Sequence, residues 1–229
     1  MKRKKVHVIG LLAICIVALL AVDGTIAYPM DITDPLANHF VASADGLKAQ
    51  LDEPEWQAAG ATNLVPGSVI AKDPQITNTG GIDEWAAIKV TFCYGPDAVA
   101  YGQPLLAEDL AIVLAAVTID WNTTDWSRFD DSLTGDGDTS LDSALSQTFY
   151  YKTPVKAAST SPLAAADTTI PLFSKVTIKA SNTQAQMVEL KTMGGFQIYV
   201  EGCVVQYAGI AAMDLSTAKS VFSFVSTPA

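Results

Sequence analysis

The sequence predicts a mainly β protein, an antiparallel two-sheet β-sandwich of jelly-roll type with short helical insertions and an N-terminal signal helix. Three observations lead to this prediction. Apolar and polar residues alternate along several segments, turns rich in Pro, Gly and Asn separate those segments, and helical spacing is confined to two short stretches of the mature chain. Seven or more strands with one apolar face favour two packed antiparallel sheets.

Three segments show the alternation most clearly, and in each one the apolar residues share a face. Shorter strands are predicted at 47–51, 69–77, 115–121 and 148–155, between turns such as Pro66-Gly67, 78–81 and Gly194-Gly195. We expect the core to lie between the apolar faces. Those faces comprise Ala86, Ile88, Val90 and Phe92; Val176, Ile178 and Ala180; and Phe196, Ile198, Val200 and Val204.

Two stretches have helical spacing. Residues 104–114 begin with a proline, which suits a first helical turn, and place Leu106, Leu110 and Val113 on one face. Residues 213–222 predict a shorter helix that opens at a cap, either Asp214 or Ser216. No internal repeat is visible, so one domain is expected over residues 44–229.

The N-terminal residues predict export. Four basic residues at 2–5 precede an apolar run at 8–22, which ends in the small-residue triplet Thr25-Ile26-Ala27. This pattern is typical of a secretory signal peptide, cleaved here between Ala27 and Tyr28. An uncleaved anchor is the alternative, but the run is shorter than the ~20 apolar residues of a spanning helix. We therefore expect a signal peptide at 1–27, an arm at 28–43, a signal peptidase as partner during export, and no stable membrane anchor afterwards.

The charge of the mature chain limits its partners. The signal peptide carries four of the 14 basic residues and one of the 24 acidic ones, which leaves a net charge of −13. An acidic chain of this kind repels phosphate backbones, so nucleic acid is not expected as a partner. Cys93 and Cys203 remain after cleavage, and the sequence leaves open whether they form a disulfide or two separate thiols.

A series of short motifs resembles a known family. In order these are Asn63-Leu64-Val65-Pro66-Gly67, Ala71-Lys72-Asp73-Pro74 and Thr77-Asn78-Thr79-Gly80-Gly81, followed by Tyr150-Tyr151-Lys152, Pro171-Leu172-Phe173 and Gly195-Phe196-Gln197-Ile198. They resemble the N-L-x-P-G, K-D-P and T-N-T-G signatures of the TasA/camelysin family, the exported substrates of the SipW-type signal peptidase. The resemblance implies a secreted protein of the cell surface or biofilm matrix that forms fibres. Read by their own chemistry, the motif residues are turn and packing residues.

In the arm that follows the cleavage site, five large apolar side chains lie at even-numbered positions, so an extended arm would place them on one face. An extended arm of this kind could add a strand to a neighbouring molecule, which is also what the family resemblance implies. A contact that does not close on itself produces a fibre, so the expected partners are further copies of the chain, and a minor fibre subunit or a cell-wall polymer. A disordered terminus is the alternative. The apolar residues are Tyr28, Met30, Ile32, Leu36 and Phe40, and Pro29 and Pro35 have the opposite parity.

The sequence offers little for catalysis. His39 is the one histidine left after cleavage, and no H-E-x-x-H, G-x-S-x-G or P-loop motif is present. We expect no enzyme activity, no cofactor and no metal. The first alternative is a monomeric adhesin that binds a ligand with the segment 121–142, and a metal-dependent endopeptidase comes third. That segment and its surroundings hold three aromatic residues, Trp121, Trp126 and Tyr150. They also hold five aspartates that form either a calcium loop or a solvated acidic loop, namely Asp130, Asp131, Asp136, Asp138 and Asp142.

Overall fold

The computed structural model describes residues 46–56, 64–129, 146–158, 167–222 and 224. Across these residues the protein is mainly β, with antiparallel sheets and three short helices. In chain order the elements are β1 Ala49–Asp52, β2 Val69–Ala71, β3 Gln75–Asn78, β4 Glu84–Tyr94, α1 Ala107–Ala116, β5 Val117–Ile119, β6 Trp126–Arg128, β7 Ser146–Tyr151, β8 Lys175–Ile178, α2 Gln184–Thr192, β9 Phe196–Gln206 and α3 Leu215–Val221.

The largest sheet has four strands in the order β6-β7-β4-β9. Its centre is the pair of β4 and β9, which run antiparallel over eleven residues each, from Glu84 opposite Gln206 to Tyr94 opposite Phe196. β7 pairs with the other side of β4, and β6 extends the sheet beyond β7. The alternation predicted for these two long strands is confirmed.

Five further strands form two smaller antiparallel sheets, β2-β8-β5 and β1-β3. The strand predicted over 69–77 was wrong in extent, because it divides into β2 and β3, which pair with different neighbours. The division lies at Lys72-Asp73-Pro74. Pro74 has no N–H to donate to a ladder, which favours a change of partner at that point.

One apolar core joins all three sheets. The even-numbered residues of β4 and β9, among them Ile88, Val90 and Ile198, face Ile76 of β3 and Val176 of β8 within a single buried cluster. β9 packs directly against β1 and β3 at Gly202, where a Cβ would make ordinary van der Waals contact, at 3.5 Å, with side-chain atoms of both Leu51 and Ile76. The predicted core faces are therefore confirmed except at Ala180, which lies beyond the end of β8 and is exposed.

The opposite face of the large sheet is also covered, at the end where the chain leaves β9. Trp85, Tyr150 and Cys203 pack there against Ala218 and Phe222, in and just after α3. β4 is consequently buried along almost its whole length, with Lys89 alone half-buried. The face of β4 that points away from the core is thus largely buried as well, and the cluster that includes α3 covers it at one end of the strand.

Two of the three helices agree with the sequence prediction, and one was missed. α1 starts at Ala107, three residues after the predicted start at Pro104, since Leu105 still donates a backbone hydrogen bond to Phe92. α3 is capped by Asp214, which accepts a 2.7 Å hydrogen bond from the Thr217 N–H. α2 was not predicted, because it buries only Met187 and Leu190. Its sequence signal is a capping box formed by Thr183 and Gln186.

The turn after α2 gives a stability prediction. Gly194 has a φ of +85°, and a Cβ there would lie 2.3 Å from the backbone nitrogen of Ala98. Gly209 has a similar φ of +92° but open space around it. We expect Gly194→Ala to lower the free energy of unfolding by about 3 kcal/mol or more, and Gly209→Ala by about 1–2 kcal/mol, because only the first adds a backbone clash to the strain. Urea unfolding measures both, and equal losses would contradict this assignment.

Candidate functional site

The first three motifs lie between Asn63 and Gly81, and this run is called the motif segment. It contains a tight turn near its start. Val65, Pro66, Gly67 and Ser68 form a β-turn in which the Ser68 N–H donates to the Val65 carbonyl at 2.9 Å. Proline at the second position and a glycine with φ of +91° at the third are typical of a type II turn. The Gly67 N–H then donates to Ile178 of β8, which places β2 in its sheet. The predicted Pro-Gly turn is confirmed.

A buried ion pair lies at the centre of the motif segment. Lys72 Nζ is 2.7 Å from both carboxylate oxygens of Glu53, and the two side chains are 1% and 2% exposed. The ammonium group also lies 4.9 Å from the centre of the Trp56 ring. Since a desolvated charge is costly unless it is paired, this contact ties the turn after β1 to the connection between β2 and β3.

Asp73, the next residue, supports the same turn. Its Oδ1 accepts a 2.9 Å hydrogen bond from the Glu55 N–H. Burial raises the pKa of the Asp73 carboxyl, and the hydrogen bond from Glu55 opposes that rise. Lys72 and Asp73 thus bind two successive parts of one turn, Glu53 and Glu55, and this holds β1 beside β3.

The T-N-T-G part of the segment closes a second tight connection. The Asn78 side chain is fully buried, accepts from the Gly80 N–H at 2.8 Å and donates to the Ile82 carbonyl at 2.7 Å. Turns of this composition often use positive φ, but neither Gly80 nor Gly81 has a positive φ. Gly80 is needed for another reason, since a Cβ there would lie 2.1 Å from the Gly46 carbonyl oxygen.

The aromatic residues proposed as a ligand platform lie in the protein interior. Trp121 is 7% exposed and stacks on Phe149, with ring centres 4.8 Å apart. Trp126 is 2% exposed and donates its indole N–H to the Ile170 carbonyl. Tyr150 is buried on the other face of the sheet. These three rings therefore do not form an exposed platform, and their contacts are those of core residues.

Cys93 and Cys203 do not form a disulfide with each other. Cys93 lies opposite Gln197, whereas Cys203 lies opposite Ala87, six residues further along β4. At 3.4 Å per residue their Cα atoms are about 20 Å apart, and a disulfide needs less than about 7 Å. Burial raises the pKa of the Cys93 thiol to about 11, and the nearby Glu201 charge adds to the rise. This thiol is accordingly a poor nucleophile at neutral pH.

Glu84 carries the most perturbed carboxyl group of the described residues. It begins β4, its side chain is fully buried, and neither carboxyl oxygen has a hydrogen-bond partner among those residues. Burial raises its pKa from 4.5 to about 8, so the carboxyl is protonated in the folded protein near neutral pH. No signal in the sequence predicts this, because Glu84 precedes the alternating apolar run and resembles a polar strand end.

Several predicted residues lie outside the described part of the chain. These are the cleavage site Ala27 and Tyr28, the arm residues Met30, Ile32, Leu36 and Phe40, His39, and the acidic loop residues Asp130, Asp131, Asp136, Asp138 and Asp142. The predicted signal peptide at 1–27 also lies there. Within the described ranges, no group of three or more His, Cys, Asp or Glu side chains is placed to hold a metal ion. No helix in those ranges is long and apolar enough to cross a membrane.

The chain matches no protein-family model, no curated protein and no solved structure. The resemblance to the TasA/camelysin family accordingly remains an interpretation of the motifs. The structure shows which contacts those motifs make. They form turns, a buried ion pair and close backbone approaches.

The buried ion pair gives a second stability prediction. Lys72→Met leaves Glu53 charged and unpaired in the interior, and we expect it to cost about 3–5 kcal/mol in unfolding free energy. The double variant Lys72→Met/Glu53→Leu removes both charges and is expected to recover most of that loss. Lys156→Met is the matched control, because Lys156 pairs with Asp83 at 2.8 Å but is 55% exposed. Urea unfolding that shows equal losses for the two lysine variants would refute the structural role of the Lys72 pair.

The raised pKa of Glu84 predicts how the free energy of unfolding depends on pH. Its pKa is higher in the folded state than in the unfolded state, so the folded protein binds more protons between pH 4.5 and about 8. Glu84 therefore contributes stability that is present in full below pH 4.5 and is lost as pH rises through about 8, at up to about 1.4 kcal/mol per pH unit. Glu84→Gln should remove this part of the slope, while exposed Glu108→Gln should keep it. Unfolding free energies at pH 5, 6, 7 and 8 test this, and parallel slopes for wild type and Glu84→Gln would contradict it.

Proposed function

We propose that this chain is a secreted structural protein of the cell surface or extracellular matrix, which assembles into fibres by donating its N-terminal arm to a second copy. The observation that carries the proposal is the arm itself. It follows directly on the predicted cleavage site, and its apolar residues at 28, 30, 32, 36 and 40 share one parity. A strand with one apolar face needs a second surface to cover that face.

Export and assembly are coupled in this proposal. Cleavage after Ala27 by a signal peptidase frees the arm at Tyr28, so assembly starts only once the chain has left the cell. A contact between the arm of one copy and the body of the next is heterologous, and such contacts continue into a fibre when they do not close. A minor fibre subunit or a cell-wall polymer would hold the fibre at the surface.

The contacts of the buried polar side chains support a structural role. The buried polar side chains of the motif segment, including Lys72, Asp73 and Asn78, bind other parts of the same chain. In this proposal the three sheets belong to one jelly-roll-like sandwich, a view supported by the single core that their side chains share. Such a body is a rigid support for a donated arm.

The proposal predicts that the arm is required for fibres. The mature chain 28–229 should form filaments visible by negative-stain electron microscopy, whereas a chain starting at Ala44 should stay monomeric in the same buffer. Met30→Ser/Ile32→Ser should reduce assembly strongly, because it removes two apolar side chains that each contribute about 1.5–3 kcal/mol when buried. The matched control Asp31→Ser/Thr33→Ser changes residues of the other parity and should assemble as the mature chain does.

Two results would count against the proposal. If 28–229 and 44–229 form filaments alike, the arm is not the donor. If neither forms filaments, the chain is not self-assembling, and a monomeric surface adhesin or accessory subunit becomes the better description.

A further inference from the structure

A groove lies between α1 and α2, which pack against each other. Its volume is about 360 Å³, at the lower end of the range for pockets that bind ligands. Two residues of α1, three of α2 and the residue that follows α2 line it, namely Asp109, Ile112, Val188, Glu189, Thr192 and Met193.

The floor of the groove is apolar and open to solvent. Ile112 and Met193 are half-buried and pack on the outside of the main core. Val188 is 44% exposed, although it lies one residue after the fully buried Met187. The packing of the two helices therefore leaves apolar surface uncovered between them, which a bound side chain would remove from water.

The apolar surface continues beyond the groove. Leu106, which is 58% exposed, precedes Asp109 by three residues and so lies beside it at the start of α1. Val99 and Tyr101 are also exposed, in the loop before α1, and this loop is held to the turn after α2 by the hydrogen bond from the Gly95 N–H to the Gly195 carbonyl. Four of the seven exposed large apolar side chains among the described residues thus lie in one region, and such a group marks an interaction surface.

Two carboxylates border the groove without a cation to balance them. Asp109 accepts a hydrogen bond from the Tyr94 hydroxyl, which holds the carboxylate in place at the start of α1. The Glu189 side chain is exposed and forms no ion pair with the residues that the structure describes. α1 contains no basic residue, and Lys191, the single basic residue of α2, does not line the groove. A partner that fits this surface carries positive charge next to apolar groups.

We propose that the groove between α1 and α2 binds a peptide segment of another protein, one that has Lys or Arg beside a large apolar side chain. The apolar side chain covers Val188 and Ile112, and the cationic groups pair with Asp109 and Glu189. The proposal goes beyond fibre formation and does not depend on the arm.

Charge and shape favour this partner over two others. A second copy of the predicted mature chain has a net charge of −13, and like charges oppose its approach to an acidic groove. A small cation could pair with the two carboxylates, but it would leave Leu106 and the rest of the apolar surface exposed. A peptide covers the groove and the neighbouring apolar side chains together.

Selection from a random peptide library tests the chemistry of the partner. The chain 28–229 is the target, and the peptides have about twelve residues, enough for about three helical turns. Peptides that also bind the variant Val188→Ser/Glu189→Gln are removed. The peptides that remain should have a net positive charge and at least one large apolar residue next to Lys or Arg.

Titration of one selected peptide tests the site. Val188→Ser should weaken its binding about tenfold or more, because the variant removes apolar surface from the contact. Glu189→Gln should weaken binding about threefold at low salt, since an exposed ion pair contributes less. The matched controls are Val69→Ser, which changes a 60% exposed valine on β2, and Glu108→Gln, which changes an exposed acid outside the groove. Both should bind as the unmodified chain does, by fluorescence anisotropy.

Three results would overturn the inference. The first is that no peptide is enriched, or that the enriched peptides lack Lys and Arg. The second is that Val188→Ser and Val69→Ser bind the peptide equally well. The third is that excess unlabelled chain displaces the peptide while the Val188→Ser chain does not, which would make a second copy the occupant of the groove. None of these results bears on filament formation by the arm, so the fibre proposal is tested separately.

Discussion

The unbroken pairing of β4 with β9 is the interaction on which the rest of the structure depends. Eleven residues of each strand lie in register, so one face of the pair presents an apolar row to the core, and the other presents Trp85, Ala87 and Cys203 to the cluster that includes α3. A slip by one residue would exchange these rows, because side chains alternate between faces. The register therefore determines at once where the core lies, which groups point outward from β9, and where the buried carboxyl of Glu84 is placed.

The motif segment has a different task, which is to hold the smaller sheets against this pair. The Lys72–Glu53 pair, the Asp73 contact with Glu55 and the buried Asn78 all lie in connections beside β1 and β3. Short strands contribute few ladder hydrogen bonds, so their positions depend on such side-chain contacts. The turn residues of the motif segment are thus explained by the contacts that they make.

Much of the fold was predictable from alternation alone. β4, β8 and β9 follow the period-two pattern, and the helix at 215–221 follows from Asp214 as a cap. α2 was missed because a helix with two buried residues leaves a weak periodic signal. Strand β6 was missed because three residues are too few for any pattern.

The candidate site was less predictable, since its features arise from contacts between distant parts of the chain. The Lys72 pair joins residues 19 apart, and nothing in the local sequence distinguishes Lys72 from an exposed lysine. Glu84 is unusual only because other strands bury it. By contrast, the parity of the arm is a local property that can be read from the sequence.

The central claim is that the freed amino terminus leaves its own subunit and adds a strand to the next one. A cryo-EM map of filaments grown from the mature chain tests this most directly. The account predicts continuous density from Gly46 of one subunit to a strand that lies against the body of its neighbour. A map in which residues 28–43 fold onto their own subunit would contradict it.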